Sequence, residues 1–204
     1  MLVRLYEENP NEKQVQQVVD CLKNGGVVIF PTDTIYAIGC DIYQRKAFEK
    51  IARIKNVKPE KANFSFIFND LSHLSEYCKH INNSVFKIMR KSLPGPFTFI
   101  LEAGNKIPKI MQTKKRTIGI RVPDNNITKV IIEKLGNPMI STSIHDDDEI
   151  VEYTTDPELI FEKYESQIDM MVNGGPGQNV ASTIIDCTNE EPEILREGLG
   201  EIDI

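Results

Sequence analysis

Two threonines flank a carboxylate in Thr32-Asp33-Thr34, directly behind the apolar segment Val27-Val28-Ile29-Phe30, and the phenol of Tyr36 follows. Hydroxyls both donate and accept hydrogen bonds, so several of them at a strand end can hold the polar part of a small ligand. The plainer alternative is a polar turn whose threonines bond their own backbone. Arg121 is a second candidate, in the alternating strand pattern Thr117-Ile118-Gly119-Ile120-Arg121-Val122 that directs it opposite Ile120. An arginine on a central strand is costly unless it meets an anion, so it implies either a bound carboxylate or phosphate or an ion pair with Asp33 or Asp41. Ser141-Thr142-Ser143 adds three adjacent hydroxyls suited to phosphate or ribose oxygens, or to a simple turn. Lys55 and Lys58 lie just past a helical pattern, where cations complement the helix dipole or reach toward a polyanion.

The elements that must carry these groups are legible from periodicity. Gly25-Gly26 and Pro31 bracket a buried strand over 27–30, with a weak edge strand over 2–6. Asn11 caps a helix whose apolar residues Val15, Val18, Val19 and Leu22 recur at helical spacing, and Ala47, Phe48, Ile51 and Ala52 mark a second helix. Residues 63–68 alternate, placing Ser65 and Ile67 on one face. Leu71, Leu74, Tyr77 and Cys78, and then Val85, Phe86, Ile88 and Met89, predict two further helices. Pro94-Gly95-Pro96 then forces a turn that sets Thr98 at the start of a strand. A helix over 127–135 stops at Gly136, a short strand Met139-Ile140 hands over to the hydroxyl run, and Asp156-Pro157 opens another helix. A strand over 168–172 leads into Asn173-Gly174-Gly175-Pro176-Gly177, which lacks the Gly-Lys-Ser/Thr ending of a P-loop. Residues 181–187 and 193–196 then pair as antiparallel strands. Helices alternating with short strands argue for an α/β (α+β) domain of three layers around a twisted mixed sheet.

A length of 204 residues, with 40% hydrophobic and 26% charged content, suits a single domain over 1–204. No apolar run has the length of a membrane helix and the N-terminus lacks a secretory apolar core, so a cytoplasmic protein with no membrane partner is expected. Four scattered cysteines and three dispersed histidines have no metal-ligand spacing, and no metal site is expected. The acidic run Asp146-Asp147-Asp148-Glu149 reads as a solvated loop, with a divalent cation as the alternative. Charge is segregated along the chain: residues 42–121 hold 17 Lys+Arg against 5 Asp+Glu, and residues 122–204 hold 4 against 19. The basic middle, including the loop over 104–116, could face a nucleotide or RNA, although no aromatic stacking residues accompany that loop.

Several segments, in order, resemble the YrdC/YciO family of threonylcarbamoyl-AMP synthase-like proteins, and the YciO-type branch most closely. They are residues 31–41, Lys55 with its basic followers, Ser92-Leu93-Pro94-Gly95-Pro96-Phe97-Thr98, residues 117–123, Ser141-Thr142-Ser143, Ser182-Thr183-Ile184-Ile185-Asp186 and Arg196-Glu197-Gly198. The resemblance implies a YrdC/RibB-like fold with a concave basic cleft. It also implies adenylyl transfer from ATP to a threonine carbamate made from L-threonine and bicarbonate or CO2, with Mg2+, in the pathway to threonylcarbamoyladenosine in tRNA. By that resemblance Thr32 and Thr34 would hold threonine, Lys55 the carbamate or phosphates, and Ser141 and Ser143 the nucleotide. Arg121 and Arg196 would meet anionic groups, while Lys58, Ser65, Thr98, Thr117 and Ser182 fall at ligand-side positions. Two positions depart from the family pattern. Val57 stands where a Lys-x-Arg pair has its arginine, with Lys58 one residue late, and Ile144-His145 replaces the Ala-Asn that follows serine in synthases. Weakened or redirected synthase activity is therefore expected; the alternative is a nucleotide- or double-stranded-RNA-binding protein without turnover.

Overall fold

The computed structural model describes residues 1–108, 111, 116–144 and 152–202. Its strands are β1 (Leu2–Arg4), β2 (Val28–Phe30), β3 (Ala37–Asp41), β4 (Ser65–Ile67), β5 (Phe97–Glu102), β6 (Thr117–Arg121), β7 (Met139–Ser143), β8 (Met170–Asn173), β9 (Thr183–Asp186) and β10 (Glu193–Arg196). Among the described residues these strands form one mixed sheet in the order β1-β8-β2-β3-β7-β4-β6-β5-β9-β10. The helices are α1 (Glu12–Lys23), α2 (Arg45–Ile54), α3 (Leu74–Tyr77), α4 (Asn83–Ser92), α5 (Asn126–Leu135), α6 (Glu152–Thr155) and α7 (Pro157–Tyr164). None of the described helices is long and apolar enough to cross a membrane.

The two sheet faces are treated differently. One face carries Ile29, Ile38, Cys40, Phe66, Phe99, Ile118, Ile120, Ile140 and Ile185 under the apolar sides of α2, α3, α4 and α7. On the other face, α1 and α5 bury Val28, Phe30, Ala37, Ile67, Met139, Met170 and Val172. Those two helices cover only part of it. Alternation puts Ser65, Thr98, Gly119, Arg121 and Ser141 on the same face as Ile67 and Met139, over the remaining half of the sheet.

Local signals account for most of these boundaries. Asn11 caps α1 by accepting a bond from the Gln14 N–H, Asp156 does the same for α7, and Gly136 ends α5 in the left-handed conformation at φ 82°. Two readings from sequence change. Residues 37–41, to which the sequence assigned no element, form strand β3, antiparallel to β2; every residue of it is buried and no alternation marks it. The hydroxyls of residues 141–143 likewise belong to β7 itself, paired with β3 on one side, and Ser141 also pairs with Ser65 of β4 on the other. His145, the acidic run over 146–149 and the basic-loop residues Lys109, Lys114 and Lys115 lie outside the described residues.

Candidate functional site

The uncovered half of the sheet forms the floor of a small inner chamber of about 120 Å³ that continues into an outer trough of about 590 Å³. Thr34, Ser65, Thr98, Arg121, Ser141, Ser143, Ser182 and Arg196 all line the chamber. Ser65, Thr98 and Arg196 also line the trough, so the two spaces are continuous. The floor is thin because Gly119 lies between Ser65 and Thr98. A β-carbon there would stand 3.1 Å from Thr98 Cγ2 and 3.2 Å from Ser65 Oγ.

Arg121 is the electrostatic centre of the chamber. Only 6% exposed, it donates from Nη2 to Asp33 Oδ1 and to Thr34 Oγ1, each at 2.9 Å. Its Nε is buried with no hydrogen-bond partner among the described residues. An arginine so placed is desolvated, and burial lowers its pKa, with Asp33 opposing and the nearby charge of Arg196 adding to the fall. Burial likewise pushes the Asp33 carboxyl up, against the pull of Arg121 and of the Asp124 N–H. The opposed shifts describe one ion pair held largely out of water, with a donor left over.

The loop over 31–36 is held from two sides. Asp124 N–H donates to Asp33 Oδ2 at 3.1 Å, and Thr128 Oγ1, in the first turn of α5, donates to the Pro31 carbonyl at 2.6 Å. Within it the two threonines divide the work. Thr32 Oγ1 donates to the Ile35 carbonyl at 2.8 Å and accepts from the Thr34 N–H at 3.0 Å, so the proton shared across the 3.1 Å to Thr34 Oγ1 comes from Thr34. Thr32 is thus occupied by the turn and orients its neighbour. Thr34, donating to Thr32 and accepting from Arg121, faces the chamber as an acceptor.

A second chain of polar contacts forms the opposite wall. Arg196 donates from Nε and Nη2 to the Ser182 carbonyl at 3.1 and 2.7 Å, and Thr98 Oγ1 lies 2.8 Å from Ser182 Oγ. No carboxylate pairs with Arg196 among the described residues, and burial lowers its pKa as well. Two guanidinium groups therefore share the chamber with a single buried carboxylate behind one of them.

The chamber therefore gathers Thr34, Ser65, Thr98, Arg121, Ser141, Ser143, Ser182 and Arg196, and Thr117 lines the trough. Lys55 and Lys58 line neither space. Lys55 is the C-cap of α2, Lys58 precedes a 3₁₀ turn over Pro59–Lys61, and the lysine along the trough is Lys61. Val57, which the resemblance sets at an arginine position, is 38% exposed. Tyr36 is buried away from the chamber, donating to the Gly175 carbonyl at 2.7 Å and accepting from the Gly174 N–H at 3.0 Å. Thr183 faces the C-terminal turn, where its hydroxyl donates to the Gly200 carbonyl at 2.6 Å. Sequence reasoning singled out neither Lys61, the last cation of the basic segment past α2, nor Asn63, which opens the alternating run over 63–68 on the face of Ser65. The Ser65 signal two residues on was the one available pointer to Asn63.

The family described as Sua5_yciO_yrdC, telomere recombination, matches residues 20–198. This chain belongs to that family. It is 38% identical over 200 residues to YciO of Escherichia coli, covering 97% of this chain and 95% of that one. The crystal structure of E. coli YciO superposes with a TM-score of 0.91 at 37% identity, covering 98% of this chain and 97% of that one. The threonylcarbamoyl-AMP synthase of Vibrio vulnificus is 28% identical over 187 residues, 90% of this chain and 98% of that protein. The structure of P. abyssi Sua5 complexed with L-threonine shares the fold, with a TM-score of 0.85 at 22% identity over 97% of this chain and 57% of that one. The YrdC-like fold expected from the motifs is the one present.

Proposed function

We propose that this YciO-type protein binds a small hydroxylated amino acid in the inner chamber and a nucleotide in the outer trough, and transfers an adenylyl group between them as a threonylcarbamoyl-AMP synthase does. The observation that carries this reading is the convergence of two guanidiniums and a ring of hydroxyls on a 120 Å³ space that opens into a 590 Å³ trough. L-threonine suits the chamber in size and in polar groups, and Sua5 has been solved with that ligand. The 28% identity to a threonylcarbamoyl-AMP synthase supports the chemistry.

In this reading threonine ammonium and bicarbonate give the carbamate, water and a proton. A carbamate oxygen then bonds to the α-phosphorus of ATP while the α–β bridge breaks and pyrophosphate leaves. Both partners are anions, so the protein's part is to hold them together against repulsion: Arg121 and Arg196 at the carboxylate end, Lys61 along the trough, and Ser141 and Ser143 as donors. The trough carboxylates are Glu60 and Asp186, and Asp186 Oδ1 already accepts from Thr188 N and Oγ1. No group of three metal-ligating side chains occurs among the described residues. This donor set suits a Mg2+ that arrives on the triphosphate, where it would neutralise phosphate charge.

Val57 replaces the family's arginine, and Lys55 and Lys58 stand outside both spaces, which favours a weakened reaction. The test is pyrophosphate release that depends jointly on ATP, L-threonine and bicarbonate. Slow release that rises in Val57→Arg is expected. No joint dependence at high protein concentration sinks the synthase reading, and ligand binding without release would leave a binding protein, for which salt-sensitive retention of duplex RNA is the next measurement.

A further inference from the structure

An anion site built around two guanidiniums has a selectivity problem. It attracts the most highly charged anion in reach, and on the reading given above that anion is the phosphate chain of the nucleotide next door. Asp33 sits where this can be corrected. Its side chain is 9% exposed and does not line the chamber, yet it pairs with Arg121 at 2.9 Å from behind. Both its oxygens are engaged, Oδ1 by Arg121 Nη2 and Oδ2 by the Asp124 N–H. Its charge is thus locked to the scaffold and its position is independent of any ligand. It withdraws one unit of positive charge from the chamber while leaving Arg121 Nε, the buried unpartnered donor, in place.

We propose that Asp33 is a specificity-determining residue that keeps phosphate out of the inner chamber, so that a singly charged carboxylate occupies it and phosphates stay in the trough. Asp33 acts through Arg121: it attenuates the field of that guanidinium and fixes its geometry, without touching the ligand. A residue that only braced the loop would, when altered, weaken every ligand. A residue that attenuates charge would, when neutralised, strengthen the wrong one. The inference rests on the proposed function in naming the carboxylate ligand and the nucleotide in the trough; the charge argument itself holds for any phosphate.

Inorganic phosphate and L-threonine are the probes, each titrated calorimetrically into wild-type protein, Asp33→Asn, and the doubly neutral Asp33→Asn/Arg121→Gln, whose folding is checked by thermal unfolding. Removing one fixed charge a few ångströms from the chamber is expected to tighten phosphate binding about tenfold in Asp33→Asn and to make phosphate compete with threonine. That gain should vanish in the double variant, which places it at Arg121 rather than at Lys61 in the trough. Unchanged or weaker phosphate binding in folded Asp33→Asn overturns the inference, as does a gain that persists in the double variant. A gain in phosphate affinity with no threonine binding in any of the three proteins would uphold the charge role of Asp33 and overturn the choice of ligand.

Discussion

The same sheet face is apolar and roofed by two helices over one half, and open over the other, where hydroxyls and guanidiniums interleave with Ile100 and Ile184. In the covered half, positions such as Phe30, Ile67 and Met139 are fully buried under α1 and α5. In the open half, the positions of equal parity are Ser65, Thr98, Gly119 and Ser141, with Arg121 at the boundary. Strand alternation is obeyed in both. What differs is that small hydroxyls and Gly119 break up the apolar surface, leaving Ile100 and Ile184 as isolated apolar positions among polar ones. The boundary itself lies within single strands: in β4, Ile67 belongs to the core and Ser65, two residues away, to the chamber.

Perturbing each half separately tests this division. Phe30→Ala, in the covered half, should produce the largest loss of stability, about 3–5 kcal/mol by denaturant unfolding, with ligand affinity in the surviving folded protein little changed. Gly119→Ala, in the open half, should do the reverse. Its new methyl must displace Thr98 or Ser65 by a few tenths of an ångström, so unfolding should shift by only about 1 kcal/mol while ligand affinity falls by about tenfold. If Gly119→Ala destabilises the protein as much as Phe30→Ala does, the open half is core and not a binding surface.

The smallest expected effect lies at the far side of the sheet and serves as a control. Burial acts to raise the Asp169 carboxyl, but bonds from Lys50 Nζ and the Val27 N–H, both at 2.8 Å, outweigh it and leave the pKa lowered. A depressed carboxyl adds stability that is complete above its unfolded value and is lost as pH falls through the folded one. Asp169→Asn should therefore be slightly less stable than wild type at neutral pH. That gap should close as pH drops below about 4, without altering the ligand affinity of either protein.

Where alternation or capping writes itself into neighbouring residues, the fold could be read in advance. Ser65 and Ile67 were assigned to one face from their spacing alone, and Asp33 was one of two named partners for Arg121 because a buried arginine demands a carboxylate. β3 was not legible, since a strand buried on both faces shows no period. The two lysines past α2, Lys55 and Lys58, line neither space. Long side chains at a helix end have no periodic signal, and the segment continues through a left-handed Asn56 at φ 51° into a 3₁₀ turn that brings Lys61, not Lys55 or Lys58, to the trough. Thr32 and Thr34 show that the plain turn and a chamber wall are not exclusive, for one threonine makes the turn and the other the wall.

The inner chamber draws its walls from residues as distant along the chain as Thr34 and Arg196. Its walls come from the loop over 31–36 and from β4, β5, β6, β7, β9 and β10, so the chamber exists only once all of these have assembled. A ligand that occupies it can recognise only the completed molecule, and it should raise the melting temperature in step with the logarithm of its concentration. Heating the protein with candidate metabolites thus becomes a way of asking which guest it was built for, with no reaction required.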